Sequence, residues 1–206
     1  NLDPDQLLIK RSMDILGSVA GLLVTLLVAP VIALLIKLES PGPVLFAQTR
    51  IGKGGREFTM YKFRSMYRDA EQRKDQLMDQ NLHSGPLFKV DNDPRITKVG
   101  QIIRKYSLDE LPQFWNVLKG DMSLVGTRPP TRDEVEQYED HQFRRISIRP
   151  GLTGLWQVSG RNKITDFDDV VALDIDYIRH WTLWLDVKII LRTLAVVLFP
   201  RRSAGL

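Results

Sequence analysis

The stretch Lys105-Tyr-Ser-Leu-Asp-Glu-Leu-Pro-Gln-Phe-Trp-Asn-Val-Leu-Lys-Gly-Asp-Met-Ser-Leu-Val-Gly-Thr-Arg-Pro-Pro130 organises the interpretation of the whole chain. It places two carboxylates, Asp109 and Glu110, side by side. Apolar residues then recur at the spacing of one helical face: Leu111, Phe114, Trp115 and Leu118. Pro112 lacks an N–H and fits best in the first turn of a helix, where no intrahelical donor is lost. The pattern therefore predicts a helix with Asp109 at or near its N-cap.

Basic residues flank this predicted helix start, with Arg104 and Lys105 before it and Arg128 after it. A helix N-terminus offers free N–H groups and the positive end of the helix dipole, which suits phosphate. Carboxylates beside arginines at such a place fit phosphate chemistry assisted by a divalent metal. The alternative is structural, because Asp is a preferred N-cap and Glu is ordinary in a first turn. Taken alone, these residues favour the structural alternative.

The composition is that of a folded chain. Its 206 residues are 43% hydrophobic and 26% charged, which is enough for one domain with a real core. Cysteine is absent, which excludes disulfides, cysteine zinc sites and a thiol nucleophile. The net charge of +4 is too small an excess for a dense nucleic-acid-binding stripe, and suits an anionic membrane surface or phosphorylated substrates. The chain starts at Asn1 without Met, so we expect it to be part of something longer.

An apolar run lies near the N-terminus. Residues 15–36 include no charged residue and would extend about 33 Å as a straight helix, enough to cross a bilayer core. Pro30 should kink or break this helix. Positive residues lie on both sides of the run, at Lys10, Arg11 and Lys37, so the positive-inside rule gives no orientation. A re-entrant helix that breaks at Pro30 and returns to the same face is one solution. A kinked spanning helix is the other, and the residues alone favour it.

Two short β-type runs follow, at residues 44–51 and 56–63. They are joined by a glycine-rich turn and predict a hairpin. Lys62 and Arg64 alternate onto one face of the second strand, and this face is either solvated or an anion site.

The remainder of the chain is predicted to be helices and loops. Helical patterns cover residues 67–82, 96–106, 131–145 and 167–180, the last with Asp residues on a solvated outer face. Tryptophans and basic residues in the apolar segment 181–199 suggest a helix in the headgroup region of a membrane, with a buried core helix as the alternative. The glycine-rich residues 149–161 look like a binding loop. Asp91 and Asp93 are either cation ligands or parts of a turn.

Six strings occur in order along the chain. They are Lys10-Arg-Ser-Met-Asp14, Lys62-Phe-Arg-Ser-Met66, Asn92-Asp-Pro-Arg95, Ser107-Leu-Asp-Glu-Leu-Pro-Gln113, Asn116-Val-Leu-Lys-Gly-Asp-Met-Ser-Leu-Val-Gly126 and Arg149-Pro-Gly-Leu-Thr-Gly-Leu-Trp-Gln157. Over about residues 8–200 the chain thereby resembles the bacterial sugar transferase family, the monotopic polyprenol-phosphate phosphoglycosyl transferases. One string alone would be weak, but six in register are specific.

The resemblance implies an activity and a location. Family members move a sugar 1-phosphate from a nucleotide-diphosphate sugar to a polyprenol phosphate and release the nucleoside monophosphate. They act at the cytoplasmic face of the bacterial inner membrane, use Mg²⁺ and carry a re-entrant helix broken near a proline. The resemblance thus favours a break at Pro30 over a span.

The resemblance also implies roles for residues. Asp109 matches the nucleophile that forms a covalent phosphosugar intermediate, and Glu110 belongs to the same site, in metal binding or proton handling. Arg104 and Arg128 match arginines that hold phosphate, and Lys62 lies in a further matching motif. The family pattern Gly-Pro-Arg-Pro is Gly126-Thr-Arg-Pro129 in this chain, which puts the geometry of that loop in question.

From the residues and the resemblance together, we predict an α+β protein, mostly helical with a small hairpin. Residues 1–40 would be a membrane-embedded re-entrant segment, and residues 41–206 a cytoplasmic catalytic domain with an interfacial C-terminal helix. The predicted donor is a UDP-hexose, the acceptor undecaprenyl phosphate and the cofactor Mg²⁺, with the lipid bilayer as a partner, no nucleic acid and a possible homodimer. The alternatives are a non-catalytic membrane scaffold and a transferase that works by direct transfer in a ternary complex.

Overall fold

The computed structural model describes residues 4–82, 84–160 and 164–199. In this part of the chain the predicted mixture of many helices and a small hairpin is confirmed. The helices are α1 (Pro4–Glu39), α2 (Lys98–Lys105), α3 (Gln113–Lys119), α4 (Arg132–Glu136), α5 (Leu155–Val158), α6 (Phe167–Arg179) and α7 (Leu183–Leu198). The strands are β1 (Leu45–Ile51), β2 (Glu57–Phe63), β3 (Ser123–Val125) and β4 (Gly151–Thr153).

The predicted hairpin is confirmed, and the structure gives its register. Strands β1 and β2 pair antiparallel from Leu45 opposite Phe63 to Ile51 opposite Glu57. The turn contains Gly54, whose φ of +67° favours glycine. Because side chains alternate along a strand, every second residue of each strand faces the candidate site described below.

Helix α1 packs along the rest of the protein. Its buried residues recur at helical intervals: Asp14, Ser18, Gly21, Thr25, Ile32 and Ile36. Near its start, Lys10 forms an ion pair with Asp186 of α7 at 2.5 Å. At its end, the Glu39 carboxylate accepts hydrogen bonds from the free N–H groups of Lys98 and Val99 at the start of α2. Both ends of α1 are therefore attached to the same body of the protein.

The predicted break at Pro30 is not confirmed. The α-helix runs uninterrupted from Pro4 to Glu39 and includes Pro30. Proline costs an interior helix one hydrogen bond, and the packing of α1 on both sides of this position holds the helix together. The opposite face of α1 exposes large apolar side chains, among them Leu16, Leu26, Leu27, Leu34 and Leu38. Among the described residues, α1 is the one helix long and apolar enough to cross a membrane.

Several hydrophobic clusters among the described residues hold the site in place. One joins α1 to the hairpin and α2 through Ile32, Ile36, Phe63 and Ile103. A second surrounds α6 and includes Tyr138, Trp156, Phe167 and Val170. A third joins β3, α6 and α7 through Val125, Tyr177 and Ile189.

Two predicted helices are wrong or shortened. Residues 67–82 form turns and a 3₁₀ segment at Asp75–Gln80 instead of an α-helix. A helix with little apolar face gains too little tertiary packing to be stable. Within residues 131–145, α4 ends at Glu136 and a 3₁₀ segment, Asp140–Ile146, follows. Thr131 caps the start of α4, since its hydroxyl accepts the N–H of Glu134.

The predicted binding loop at residues 149–161 contains regular structure. Strand β4 pairs parallel with β3, and the short helix α5 follows. Trp156 of α5 is buried in the hydrophobic cluster around α6. This packing stabilises a regular structure that the glycine-rich sequence did not indicate. Arg161 lies outside the described residues.

The prediction of solvated Asp residues on α6 is wrong for Asp174. Its carboxylate is 1% exposed and accepts a hydrogen bond at 2.8 Å from Arg145, which is itself fully buried. Helix α7 was predicted to be either a helix in the headgroup region or a buried core helix, and it has features of both. Ile189 and Asp186 are buried, while Trp184, Leu194 and Leu198 are exposed, so α7 packs one face inward and presents an apolar face outward.

Candidate active site

A cavity of about 720 Å³ opens between the hairpin, the segment after α2 and the loop after β3. All five residues predicted from the sequence line it: Lys62, Arg104, Asp109, Glu110 and Arg128. Its other charged lining residues are Arg50, Arg64, Arg68, Lys89 and Glu71. Seven basic side chains against three carboxylates make this cavity suitable for a polyanionic ligand.

The two carboxylates lie on a tight turn. Leu108–Glu110 form a 3₁₀ turn, and α3 begins only at Gln113, with Pro112 as its N-cap. The prediction of Asp109 at the N-cap is therefore wrong by one turn, because Ser107 redirects the chain after α2. Ser107 has a left-handed φ of +54°, a conformation uncommon outside glycine, and the N–H of Glu110 bonds to its carbonyl.

Asp109 is buried in the cavity wall with a perturbed acidity. The residue is only 7% exposed to solvent. Burial, and next the neighbouring Glu110 carboxylate, raise the pKa of Asp109 to about 6, against the opposing effects of Lys62 and Arg104. The carboxylate is thus charged at neutral pH but poorly solvated, which strengthens it as a nucleophile.

Lys62 links the hairpin to this turn. Its Nζ donates to Oε1 of Glu110 at 2.9 Å, and both side chains are partly exposed to the cavity. One cation thereby offsets part of the charge of two adjacent carboxylates. The ion pair also fixes strand β2 relative to the Asp109 turn.

A pH-rate profile should report this arrangement. We expect kcat/KM to fall as the pH drops through about 6, because protonation of Asp109 removes the nucleophile. Glu110→Gln should move this acidic limb to lower pH, since it removes a negative neighbour, and Lys62→Met should move it to higher pH. The measurement is turnover between pH 5 and 9 at subsaturating donor. Identical limbs in the wild type and both variants would contradict control by Asp109.

The two predicted arginines differ in their surroundings. Arg104 is exposed, and in the described part of the chain its side chain makes neither a hydrogen bond nor an ion pair. Arg128 donates two hydrogen bonds to Glu134, at 2.8 and 3.0 Å. Burial would lower the pKa of Arg128, but Glu134 outweighs it and raises that pKa. Two of five guanidinium donors are used in this pair, so Arg128 retains donors for a ligand.

The metal-ligating capacity of the site is modest. Among the described residues there is no group of three His, Cys, Asp or Glu side chains that could hold an ion. Asp109 and Glu110 supply two adjacent carboxylates, and Mg²⁺ is often bound by one or two carboxylates with substrate phosphates and water completing its shell. The donor set therefore fits Mg²⁺ bound together with a diphosphate. The cation site considered at Asp93 is wrong, because both oxygens of that carboxylate accept hydrogen bonds from Arg95.

The family of this chain follows from its similarity to known proteins. The model of the family described as bacterial sugar transferase matches residues 5–200. The chain belongs to that family. Three of the six strings noted in the sequence, at residues 62–66, 107–113 and 149–157, contribute residues to the cavity lining.

Individual sugar transferases are similar over nearly the whole chain. A galactosyl transferase, CpsE, of Streptococcus agalactiae is 58% identical over 192 residues, which are 93% of this chain and 42% of that protein. The UDP-glucose:undecaprenyl-phosphate glucose-1-phosphate transferase of Escherichia coli is 43% identical over 196 residues, 90% of this chain and 39% of that protein. The exopolysaccharide production protein ExoY of Rhizobium meliloti is 38% identical, over 94% of this chain and 87% of its own length. The chain thus spans about two fifths of the first two relatives.

The departure at Thr127 from the sugar transferase pattern has a structural compensation. Thr127 is buried, and its hydroxyl donates to the carbonyl of Arg145 at 2.7 Å. Its own carbonyl accepts the N–H of Gly151 at 2.8 Å. These two bonds hold the loop that carries Arg128 in the place where a proline would stiffen it.

Substitutions at Thr127 should separate these contributions. We expect Thr127→Val to lower the free energy of unfolding by about 1–2 kcal/mol, because the buried Arg145 carbonyl loses its partner. Thr127→Pro should lower the free energy of unfolding by less, because the proline ring also reduces the conformational entropy of the unfolded chain. Thermal melting and turnover measure both effects. Wild-type stability in the valine variant would show that the hydroxyl does not hold the loop.

Three residues of the sugar transferase site were missed by sequence reasoning. Glu134, the partner of Arg128, occupies the fourth position of a Thr131-x-x-Glu capping box, a signal that marks its place in α4 but not its partner. Arg50 and Gln48 line the cavity from β1. Their alternation with Phe46 on a strand was a usable signal, but it became specific only with the register of the hairpin.

Proposed function

We propose that this sugar transferase moves a hexose 1-phosphate from a UDP-sugar to undecaprenyl phosphate and releases UMP. The main support for this proposal is the position of Asp109, a buried carboxylate with a raised pKa in a predominantly basic cavity. Family membership and the E. coli relative, named for UDP-glucose and undecaprenyl phosphate, support the choice of donor and acceptor.

In the first step, an oxygen of the Asp109 carboxylate attacks the phosphorus that carries the sugar. The bond from this phosphorus to the UMP oxygen breaks, and its electron pair leaves with UMP. The products are UMP and an acyl phosphate that joins Asp109 to the sugar phosphate. In the second step, a phosphate oxygen of undecaprenyl phosphate attacks the same phosphorus. The Asp109 carboxylate leaves, and the lipid carries a diphosphate-linked sugar.

The surrounding side chains counter the repulsion between an anionic nucleophile and an anionic substrate. Lys62 and Arg104 already act electrostatically on Asp109, since both lower its pKa. Arg128 can bind the diphosphate of the donor with its remaining hydrogen-bond donors. Asp109 and Glu110 would hold Mg²⁺, which supplies neutralisation of charge on the phosphate oxygens when bound. Glu110 is oriented for that position by its ion pair with Lys62.

The proposed location is the cytoplasmic face of the bacterial inner membrane. The long apolar helix α1 and the relatives in polyprenol-linked synthesis indicate a membrane-associated protein. We propose that α1 is re-entrant and that residues 41–206 lie on the cytoplasmic side. The attachment of Lys10 and Glu39 to the same body of the protein supports this topology, because a helix that crossed the bilayer would carry one of these ends to the far side. Homodimerisation stays a prediction.

Cysteine labelling tests the topology. The chain has no cysteine, so single cysteines at the exposed positions Ser12 and Lys37 give unambiguous signals, with Lys53 of the hairpin turn as the control. In intact cells all three should resist a membrane-impermeant maleimide, and in permeabilised cells all three should react. Labelling of Ser12→Cys alone from outside would show a spanning helix. Pro30→Leu should move the population towards such a span, because it removes the weakest point of the helix.

The direct test of the reaction is UMP release. Purified protein with Mg²⁺, undecaprenyl phosphate and one member of a UDP-sugar panel should release UMP with the correct sugar. The sugar should appear on the lipid in equal amount. A membrane scaffold would release no UMP with any sugar, and that result would end the proposal.

A further inference from the structure

Arg50 is a cavity residue with an unusual environment. It lies at the far end of β1, and its side chain is fixed by three hydrogen bonds. Its Nε and Nη2 donate to Oε1 of Gln48 at 3.0 and 2.6 Å, and its Nη1 donates to the carbonyl of Pro129 at 2.9 Å. All three acceptors are neutral oxygens. In the described part of the chain no carboxylate lies within ion-pairing distance of Arg50.

The charge of Arg50 is therefore uncompensated at short range. Burial, and next the neighbouring Arg128, lower the pKa of Arg50 to about 10, so the guanidinium remains charged at neutral pH. Glu134, the carboxylate with the largest opposing effect on that pKa, already accepts two hydrogen bonds from Arg128. A partly desolvated cation beside a second arginine is costly unless an anion joins it. A bound phosphate would offset both the desolvation of Arg50 and its repulsion by Arg128.

The register of the hairpin locates this anion site relative to the nucleophile. Phe46 of β1 lies opposite Lys62 of β2, so Phe46 marks the level of the Lys62–Glu110 ion pair. Arg50 lies four residues further along β1, about 13 Å by the rise of a strand. The bonds to Gln48 hold its guanidinium back towards that ion pair. The site is thus adjacent to the reacting centre but displaced along the cavity.

The direction of this displacement distinguishes the two substrates. Strand β1 begins close to the end of α1, where Arg64 donates to the carbonyls of Ser40 and Pro41. Arg50 is near the other end of the strand, where Ile51 and Arg50 bond to the carbonyls of Pro130 and Pro129 and not to residues of α1. A lipid-bound acceptor must approach from the apolar side, so the phosphate near Arg50 belongs to the water-soluble donor.

We propose that Arg50, oriented by Gln48 and acting with Arg128, binds the phosphate that stays with the leaving nucleotide. This inference rests on the proposed function, because it assigns one phosphate of the nucleotide-sugar donor. It makes Arg50 a donor-binding and leaving-group-stabilising residue, and it makes Gln48 a positioning residue. An arginine bound to this phosphate would also stabilise the charge that develops on it when UMP departs.

Binding of UMP and of uridine to the full chain in detergent tests the site without turnover. Arg50→Gln should weaken UMP binding about tenfold or more, as expected for loss of charged hydrogen bonds, and leave uridine binding unchanged. Arg56→Gln is the matched control, because Arg56 is exposed on the same hairpin and does not line the cavity. It should bind both ligands as the wild type does. Equal UMP affinity in Arg50→Gln and the wild type, or no UMP binding by the wild type, would overturn the proposal.

A second variant guards against misfolding. Gln48→Glu keeps the size of the side chain and gives Arg50 a carboxylate partner, so the melting temperature should be retained or raised. UMP affinity should nevertheless fall, because the new carboxylate competes with phosphate. Undiminished UMP binding in a folded Gln48→Glu protein would contradict the role of Arg50.

Kinetics separate the donor from the lipid as the source of the phosphate. Arg50→Gln should raise KM for the UDP-sugar and leave KM for undecaprenyl phosphate unchanged, and Arg50→Lys should recover part of the loss. A rise in the acceptor KM alone would assign the site to the lipid and overturn the proposal. Failure of the proposed reaction has a different signature: no UDP-sugar would release UMP, while Arg50-dependent binding of UMP would persist.

Discussion

Replacement of Asp109 by Asn should abolish turnover and the covalent intermediate together. Wild-type protein given Mg²⁺ and its donor sugar, but no polyprenol phosphate, should gain the mass of one sugar phosphate. UMP should appear in a burst no larger than the amount of protein, because the second step lacks its acceptor. Addition of undecaprenyl phosphate should clear the adduct. Asp109→Asn should show neither burst nor adduct, since an amide is a far poorer nucleophile than a carboxylate.

Two variants make this result specific. Asp133→Asn is the matched control, because Asp133 is an exposed carboxylate on α4 outside the cavity, and it should form adduct as the wild type does. Glu110→Gln should impair turnover severely, and its adduct level will show whether Glu110 acts before or after the covalent step. Peptide mapping should place the sugar phosphate on Asp109. Adduct on another residue would show that Asp109 is not the nucleophile, and turnover without any adduct would favour direct transfer in a ternary complex.

Stability provides a separate check that Asp109→Asn is folded. The pKa of Asp109 is raised from 3.8 to about 6 in the folded protein, so the native state binds its proton more tightly than the unfolded state does. Its contribution to stability is fully present below pH 3.8 and is lost as the pH rises through about 6. The charged carboxylate then costs the fold about 3 kcal/mol at most, from 1.36 kcal/mol per pKa unit. Asp109→Asn should therefore melt higher than the wild type at pH 8, and the difference should shrink as the pH falls from 6 towards 3.8.

Local patterns in the sequence predicted those features that depend on neighbouring residues. The hairpin followed from alternation and a glycine turn between two short β-type runs. Motifs in order along the chain indicated Asp109 and Glu110 as site residues. The structure brings them together with Lys62, although 47 residues separate Lys62 from Asp109 in the sequence.

Features that depend on distant pairing were not predictable in this way. Asp174 was expected to be solvated, but its ion pair with Arg145 allows both side chains to be buried. Arg50 became a site residue only because the register of β1 aims it into the cavity beside Arg128. Residues 67–82 have the composition of a helix, yet they lack the apolar face that would bind it to the rest of the protein.

Removal of either predicted phosphate-binding arginine should reduce turnover strongly, but with different effects on stability. Arg104→Ala and Arg128→Ala should each lower kcat about 10²- to 10³-fold, the usual loss when one preorganised charge-stabilising donor is removed. Lysine should rescue neither fully, because a point charge does not reproduce a planar guanidinium fork. Arg104 is exposed and makes no ion pair among the described residues, so Arg104→Ala should leave the melting temperature unchanged.

Arg128→Ala should also destabilise the protein. Its partner Glu134 is only 10% exposed at the side chain, and removal of the arginine leaves that carboxylate buried without its cation, at a cost of up to about 3 kcal/mol. The double variant Arg128→Ala/Glu134→Gln should recover the melting temperature, because the stranded charge is gone, but it should not recover turnover. Recovery of turnover together with stability would mean that Arg128 only supports the fold. Loss of turnover in a protein of restored stability would assign the missing catalytic power to the guanidinium itself.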